Sequence, residues 1–201
     1  MTSEIAAVAG LVRHGATVDN EAGRIQGWRD SPLTRRGAAG VQAWIPALAG
    51  HGFQSIVSSD LGRARATADI LSEGLGLDVA VDPGLREQDW GDWSGAAIKD
   101  LHRDHPRTMQ EHIRRGWDFR PPGGESRRDV LHRALQSLER RAVHGRRTLI
   151  VTHEGVVKCL AYHLNGRAFL PEEPKLLEGR NRLHLLRAGP APKIIELNIP
   201  L

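Results

Sequence analysis

Apolar residues occur along the chain in short runs, separated by segments with helical spacing. The longest early run covers residues 5–12 and stops abruptly at a polar triplet. Runs of this length are typical of strands that are covered on both faces in a parallel sheet. Shorter segments of the same kind occupy residues 54–58, 78–81 and 148–152. We therefore predict four buried strands at these positions.

Helical patterns lie between these strands. Thr34 can N-cap a helix that extends to about residue 49, and Pro46 predicts a kink or an early stop within it. Ser126 and Asp129 resemble a capping box, which predicts a helix from there to about residue 143. The remaining predicted helices cover about 61–73 and 155–164, and two helical pieces after residue 95 are split by Pro106.

Two segments have no periodicity, and the C-terminal part of the chain has a hairpin pattern. We expect residues 20–32 and 82–95 to be loops, and residues 183–187 and 193–198 to form a closing hairpin. Strands that alternate with helices indicate an α/β fold, with helices on both faces of a mostly parallel central sheet in three layers. Because no repeat or linker interrupts the pattern, we predict a single domain over residues 1–201.

Composition and charge narrow the function classes. The chain has 28 basic and 24 acidic residues, a formal net charge of +4, which suits an anionic substrate. Three arginine pairs could form a patch for nucleic acid: Arg127-Arg128, Arg140-Arg141 and Arg146-Arg147. No recognition motif accompanies them, which makes a nucleic-acid module the less favoured interpretation. Cys159 is the only cysteine, so an intrachain disulfide is excluded. The apolar run at 5–12 is shorter than the roughly 20 residues of a membrane span, and no signal peptide pattern precedes it. We expect a cytoplasmic protein without membrane contact.

Polar and charged residues follow the predicted strands directly. Arg13 and His14 end the first strand, Arg63 follows the second, and His153 ends the strand at 148–152. Ligands of open α/β sheets bind outside the carboxyl ends of the strands, so these side chains are expected to converge if the first and fourth strands are neighbours. Arginines and histidines together suit a phosphate dianion, and a neutral histidine can act as a nucleophile. Glu87, in the tryptophan-bearing loop, is the best candidate proton donor.

The same residues resemble the signature of the histidine phosphatase superfamily, in its phosphoglycerate-mutase-like branch. The resemblance covers roughly residues 5 to 160 and rests on several motifs in the family's order. These motifs are Leu11-Val12-Arg13-His14-Gly15, Gly23-Arg24-Ile25-Gln26-Gly27, Ser58-Ser59-Asp60-Leu61 with Arg63, Leu85-Arg86-Glu87 with Trp90-Gly91-Asp92-Trp93, Pro122-Gly123-Gly124-Glu125-Ser126 and Val151-Thr152-His153.

The resemblance implies a role for each matching position. His14 would be the phosphorylated nucleophile, and Glu87 the acid for the leaving group and then the base for water. The phosphoryl group would be bound by Arg13, Arg63 and His153, and the pocket would be lined by Asn20, Gln26 and Gly27. The resemblance implies no metal and no cofactor, since arginines and histidine supply the positive charge.

Two features bear on the substrate. Glu154 stands where the family commonly has glycine, so we expect it either to turn outward or to recognise a hydroxyl, an amine or an arginine. Arg114 and Arg115 are similar to the paired arginines with which mutases hold phosphoglycerate, although a solvated helix end is the favoured interpretation.

The short chain favours a phosphatase of small phosphorylated metabolites. A phosphoglycerate mutase is the alternative, and a binding protein without catalysis is a third interpretation. A homodimer is left open.

Overall fold

The computed structural model describes residues 7–141, 145–189 and 191–201 and has an α/β architecture around one six-stranded sheet. The strands are β1 Val8–Arg13, β2 Ser55–Ser58, β3 Val79–Val81, β4 Arg147–Thr152, β5 Arg182–Arg187 and β6 Lys193–Pro200. Their order in the sheet is β3-β2-β4-β1-β5-β6. The first four strands are parallel, whereas β5 is antiparallel to both β1 and β6.

Helices connect the strands and cover the sheet. Their bounds are α1 Val18–Glu21, α2 Arg35–Ala49, α3 Gly62–Leu75, α4 Ile98–Asp104, α5 Pro106–Arg114, α6 Arg127–Arg141 and α7 Glu154–Leu164. Short 3-10 turns cover Pro83–Leu85, Gly91–Trp93 and Gly116–Asp118. None of the helices within the described ranges combines the length and the apolar character that a bilayer crossing requires.

Two separate apolar cores fill the space between the sheet and its helices. On one face, Val41 and Leu71 of α2 and α3 pack against Val12 of β1. On the other, Val130 and Leu160 of α6 and α7 pack against the remaining face of the sheet. The predicted arrangement of helices on both faces of a mostly parallel sheet is therefore confirmed.

Most predicted elements are present. The loop predicted at Asn20 is wrong, and of the two alternatives predicted at Pro46 the structure excludes the early stop. Asn20 belongs to the short helix α1 rather than to a loop, because Thr17 and Asn20 form a capping box around its first turn. Helix α2 continues through Pro46 to residue 49. The proline sits on the exposed side, where water can satisfy the carbonyl group that has lost its amide partner.

The predicted capping box and hairpin are both present. The amide of Asp129 donates to Ser126 Oγ at 3.1 Å, and the amide of Ser126 donates to the Asp129 carboxylate at 2.9 Å. The hairpin is formed by β5 and β6. The predicted start of the first strand at residues 5 and 6, and the predicted end of the helix near residue 143, lie outside the described residues.

Candidate active site

The two predicted histidines are brought together by the sheet itself. Strands β1 and β4 are parallel neighbours, and Arg13 is paired with Thr152 at their ends. The next residue along each strand is a histidine, and the amide of His14 donates to the carbonyl of Thr152 at 3.0 Å. The ring centroids of His14 and His153 are 5.2 Å apart. The predicted convergence of these strand ends is present in the structure.

The hydrogen bonds of His14 define its protonation state. Its Nδ1 lies 2.7 Å from the carbonyl oxygen of Gly15, and its Nε2 accepts a hydrogen bond from Arg63 Nε at 3.2 Å. A carbonyl only accepts and an arginine only donates, so Nδ1 carries the proton and Nε2 presents its lone pair. Burial, together with Arg13 and Arg63, holds the pKa of His14 well below its usual value. The ring is therefore neutral at pH 7, with the nucleophilic nitrogen unprotonated.

His153 is fully buried beside it and also neutral. Burial is the main cause that lowers its pKa, followed by the charge of Arg63. Buried Ser59 accepts at Oγ from the amide of Leu61, and the same oxygen lies 2.9 Å from His153 Nε2. If the serine hydroxyl donates to Nε2, then Nδ1 carries the proton of His153. This Nδ1 is buried and has no hydrogen-bond partner in the described part of the chain. In that tautomer it is a buried N–H donor without an acceptor among the described residues.

Arg63 supplies a positive charge that is almost fully buried. The residue lies in the first turn of α3 and is 1% exposed. Its Nη1 donates to the carbonyl of Arg29 at 2.9 Å, and its Nη2 to the carbonyl of Gly27 at 2.7 Å. No carboxylate of the described residues lies within ion-pair distance of it. The loop carbonyls therefore aim the guanidinium at His14 and leave its charge for a ligand.

Glu154 pairs with cationic side chains of the protein, and an arginine is among the partners that the sequence analysis proposes for it. Its carboxylate forms ion pairs with Arg13, at the end of β1, and with Lys158, one turn further along α7. Burial raises the pKa of Glu154, but Arg13 and Lys158 outweigh it, so the pKa is lowered overall. The side chain faces the cavity and does not turn away from it. Glu154 thus holds Arg13 beside the histidines and partly neutralises its charge.

Glu87 is placed at the beginning of α7. Its carboxylate accepts hydrogen bonds from the amide of Gly155 at 3.0 Å and from that of Gln88 at 2.9 Å. The amide of Gly155 is therefore engaged by Glu87. A Cβ atom at residue 155 would overlap Glu87 Oε1, so a glycine is required there for this contact.

The sequence analysis did not find Arg133, which holds the loop that carries Glu87. Its Nη1 donates to the carbonyl of Gly84 at 3.0 Å and its Nη2 to that of Glu87 at 2.9 Å. The same guanidinium forms a two-point ion pair with Glu125, whose carboxylate also accepts from the amide of Asp89. The available signal was an arginine on the apolar face of an amphipathic helix, where only a paired charge is stable.

A cavity of about 340 Å³ opens above these groups. The predicted residues that line it are Arg13, His14, Asn20, Gln26, Gly27, Arg63, Glu87 and Glu154, whereas His153 adjoins His14 without lining the cavity. Gln26 is buried, and its Oε1 has no partner among the described residues.

The paired arginines suggested for substrate binding lie elsewhere. Arg114 and Arg115 are exposed at the C-terminal end of α5 and do not line the cavity. Pro106 begins α5, and the helix carries the pair outward at its far end. Four other cationic side chains, which we did not predict, line the cavity instead: Arg24, Arg127, Lys158 and Arg180.

The chain matches the model of the histidine phosphatase superfamily (branch 1) over residues 10–175. It is 37% identical over 170 residues to a 2,3-bisphosphoglycerate-dependent phosphoglycerate mutase of Methylobacterium radiotolerans, covering 78% of either chain. It is 38% identical over 168 residues to a probable phosphoglycerate mutase GpmB of Cronobacter sakazakii, covering 78% of this chain and 74% of that one.

Solved structures show the same fold. A mycobacterial glucosyl-3-phosphoglycerate phosphatase superimposes with a TM-score of 0.79 at 29% identity, covering 96% of this chain and 99% of the other. Bacillus stearothermophilus YhfR superimposes with a TM-score of 0.82 at 30% identity, covering 94% and 96%. With the family model spanning most of the sequence, the chain belongs to branch 1 of the histidine phosphatase superfamily.

Proposed function

We propose that this protein hydrolyses phosphomonoesters through a phosphohistidine intermediate on His14. The observation that carries the proposal is the neutral imidazole of His14, which lines the cavity beside Arg13 and Arg63 and whose Nε2 is unprotonated. A buried neutral histidine is a competent nucleophile towards phosphorus, and fixed cations stabilise the charge that the transferring group carries.

In the first step, His14 Nε2 gives up its hydrogen bond from Arg63 and attacks phosphorus opposite the leaving oxygen. The N–P bond forms as the bond from phosphorus to the ester oxygen breaks, and Glu87 donates a proton to that oxygen. The phosphoryl oxygens are bound by Arg13 and Arg63, and by His153 Nδ1 in the tautomer in which Ser59 donates to Nε2. This contact would also give the buried Nδ1 the partner that it lacks among the described residues.

In the second step, the alcohol leaves and a water molecule takes its place. Glu87, now a carboxylate, accepts a proton from the water as its oxygen attacks phosphorus. The N–P bond breaks, inorganic phosphate is released, and the lone pair returns to His14 Nε2. Glu87 therefore serves as acid and then as base, because the leaving ester oxygen and the attacking water oxygen occupy the same side of the phosphoryl group in turn.

A phosphoglycerate mutase is the second candidate, and the names of the curated relatives favour it. Both reactions use the same first step and differ in what takes the phosphoryl group from His14. A mutase retains the acceptor alcohol, whereas a phosphatase admits water. The names of two solved neighbours favour the phosphatase.

The test is hydrolysis of p-nitrophenyl phosphate in excess chelator by the wild type, His14→Ala and His132→Ala. His132 is an exposed histidine on α6 whose side chain bonds to Gln136 and to no other described residue, which makes it the matched control. We expect turnover in the wild type and His132→Ala, and none in His14→Ala. Turnover that survives in folded His14→Ala would refute the mechanism. If the protein hydrolyses no phosphate ester but isomerises phosphoglycerate in the presence of a bisphosphate primer, the mutase is established instead.

A further inference from the structure

Glu154 lines the active-site cavity but has no part in the proposed mechanism. Among the described residues, two carboxylates line this cavity, and the other one, Glu87, is committed to proton transfer. His14 and His153 are neutral and add no charge. Six cationic side chains line the same cavity: Arg13, Arg24, Arg63, Arg127, Lys158 and Arg180. Glu154 is therefore a resident anion in a strongly cationic cavity, beside an arginine that binds the phosphoryl group in the proposed mechanism.

The two oxygens of the Glu154 carboxylate are divided between two cations. Oε2 accepts a hydrogen bond from Arg13 Nη1, and Oε1 accepts one from Lys158 Nζ. Burial raises the pKa of Glu154, but the charges of Arg13 and Lys158 outweigh it, so the carboxylate is ionised at pH 7. The side chains of Glu154 and Lys158 are each 41% exposed, whereas that of Arg13 is 14% exposed. The carboxylate thus bridges a partly exposed cation and a largely buried one.

Arg13 keeps a donor for a second anion. Its Nη1 donates to Glu154, whereas its Nε is buried and has no hydrogen-bond partner among the described residues. The five N–H groups of a guanidinium lie in a plane and can serve anions on different edges. A phosphoryl oxygen can therefore bind Arg13 while Glu154 stays in place. The positive charge that the phosphoryl group meets is then already shared with a carboxylate.

A shared charge lowers the affinity for the second anion. The carboxylate and a phosphate dianion have the same sign and would bind one guanidinium, so they repel each other. Solvent screens this repulsion, because the side chain of Glu154 is partly exposed. Lys158 weakens the repulsion further, since it binds the other carboxylate oxygen. Because Arg13 is largely buried at the end of β1, its position does not depend on Glu154 alone.

We propose that Glu154 is a resident counter-ion of Arg13 that weakens the binding of phosphate, and that Lys158 moderates this effect by holding the same carboxylate. The inference rests on the proposed function, in which inorganic phosphate is the product. Binding energy that substrate and product share equally lowers KM without raising kcat. Glu154 thus sets an affinity that lets phosphate leave a cavity lined by fixed cations.

The first measurement is the dissociation constant of inorganic phosphate, by calorimetry at neutral pH and constant ionic strength. Glu154→Gln removes the charge and keeps an oxygen that accepts from Arg13. Loss of one screened repulsion should tighten phosphate binding about threefold to tenfold. Glu178→Gln is the matched control, because Glu178 is exposed and lines a neighbouring cavity but not the active-site cavity. It removes the same net charge and should change the constant by about 1.5-fold or less.

The sign of the change separates a counter-ion from a residue that only orients Arg13. If Glu154 only orients the guanidinium, its neutral replacement holds Arg13 less firmly and phosphate binds more weakly. Equal or weaker affinity in Glu154→Gln, equal tightening in Glu178→Gln, or no binding of phosphate by either Glu154→Gln or the wild type would overturn the proposal. Glu154→Ala should also tighten binding, and it provides the test if Glu154→Gln does not fold.

A double-mutant cycle tests the contribution of Lys158. Lys158→Gln should weaken phosphate binding about threefold in the wild-type background, because the Glu154 carboxylate then acts on Arg13 alone. In the Glu154→Gln background the same substitution should change the constant by about 1.5-fold or less. An equal effect in both backgrounds would show that Lys158 acts on phosphate directly, and it would overturn the role proposed for Lys158.

Failure of the counter-ion and failure of the proposed function are separable. The dissociation constants are measured without turnover, whereas hydrolysis of p-nitrophenyl phosphate that depends on His14 reports the chemistry. Tighter phosphate binding by Glu154→Gln, in a protein that hydrolyses no ester, would support the counter-ion and refute the hydrolysis. Hydrolysis by the wild type with an unchanged phosphate affinity in Glu154→Gln would do the reverse.

Discussion

Replacing Arg133 by methionine tests whether the clamp on the Glu87 loop supports both stability and catalysis. The substitution keeps much of the side-chain volume and removes all donors. It removes the Arg133 donor from the carbonyls of Gly84 and Arg86, leaves the Glu87 carbonyl with the Trp28 indole N–H alone, and leaves Glu125 without its cation. Both members of the ion pair are largely buried, with side-chain exposures of 18% and 20%.

The expected loss of stability follows from that burial. Removing one partner of a buried ion pair costs about 3–5 kcal/mol. Because the pair retains some exposure, we take the lower figure, about 3 kcal/mol. A chain of this length loses about 2–4 °C in Tm for each kcal/mol, so Tm should fall by about 6–12 °C. Arg128→Met, on the same helix, removes an exposed pair with Asp118 and should cost about 1 kcal/mol or less.

The catalytic effect should depend on the leaving group. Glu87 protonates the departing oxygen in the proposed mechanism, and p-nitrophenolate is stable enough to leave without that proton. In Arg133→Met, kcat for an alkyl phosphate should therefore fall at least about tenfold, and kcat for p-nitrophenyl phosphate by about threefold or less. Arg133→Lys, which keeps the charge and loses the planar fork, should lie between the wild type and Arg133→Met.

Two results would refute this reasoning. One is a Tm for Arg133→Met within about 2 °C of that of Arg128→Met, which would show that the clamp contributes little to stability. The other is an equal loss of kcat for both esters in folded Arg133→Met. An equal loss would show that Arg133 does not act by positioning Glu87 to protonate the leaving oxygen.

Two further predictions concern a glycine and a buried histidine. Gly155→Ala should lower kcat about tenfold to a hundredfold, because the added Cβ displaces the Glu87 carboxylate. Gly40→Ala, which has open space around it, should leave kcat unchanged. Equal kcat values for the two variants would contradict the contact between residue 155 and Glu87. Burial lowers the pKa of His184 to about 4. Below about pH 6.5 this histidine is protonated in the unfolded chain and still neutral in the folded chain. The free energy of unfolding should therefore decline by about 1.4 kcal/mol per pH unit from there towards pH 4. Urea unfolding at pH 7 and at pH 5 gives the free energy of unfolding at each pH, and its fall between them should be about 2 kcal/mol smaller in His184→Gln than in the wild type. Equal falls in the two proteins would contradict the lowered pKa of His184.

The sequence predicts the strand ends well because the relevant signals are local. A buried strand that ends in a charged triplet is visible within ten residues, and parallel strands place their carboxyl ends at one edge of the sheet. For this reason His14, Arg63 and His153 were placed together correctly. Helix α1 was missed because four residues are too few to show a period.

The substrate side of the cavity could not be predicted in the same way. Glu154 binds Arg13 from 141 positions away, a contact that only the β1–β4 pairing creates. Arg180 lies in a segment without periodicity, so nothing in the sequence directs it to the cavity. Arg114 and Arg115 match a family pattern, but their position depends on where α5 ends.

The pairing of β1 with β4 separates the parts of the protein that can be re-engineered from the part that cannot. The spacing of the two histidines is set by the hydrogen-bonded register in the centre of the sheet, so changes in distant loops leave it intact. Much of the wall of the neighbouring cavity, of about 760 Å³, comes from residues 169–180, outside that central ladder. In the proposed function, grafting this segment between members of the family should exchange the accepted esters and leave the phosphoryl-transfer centre undisturbed.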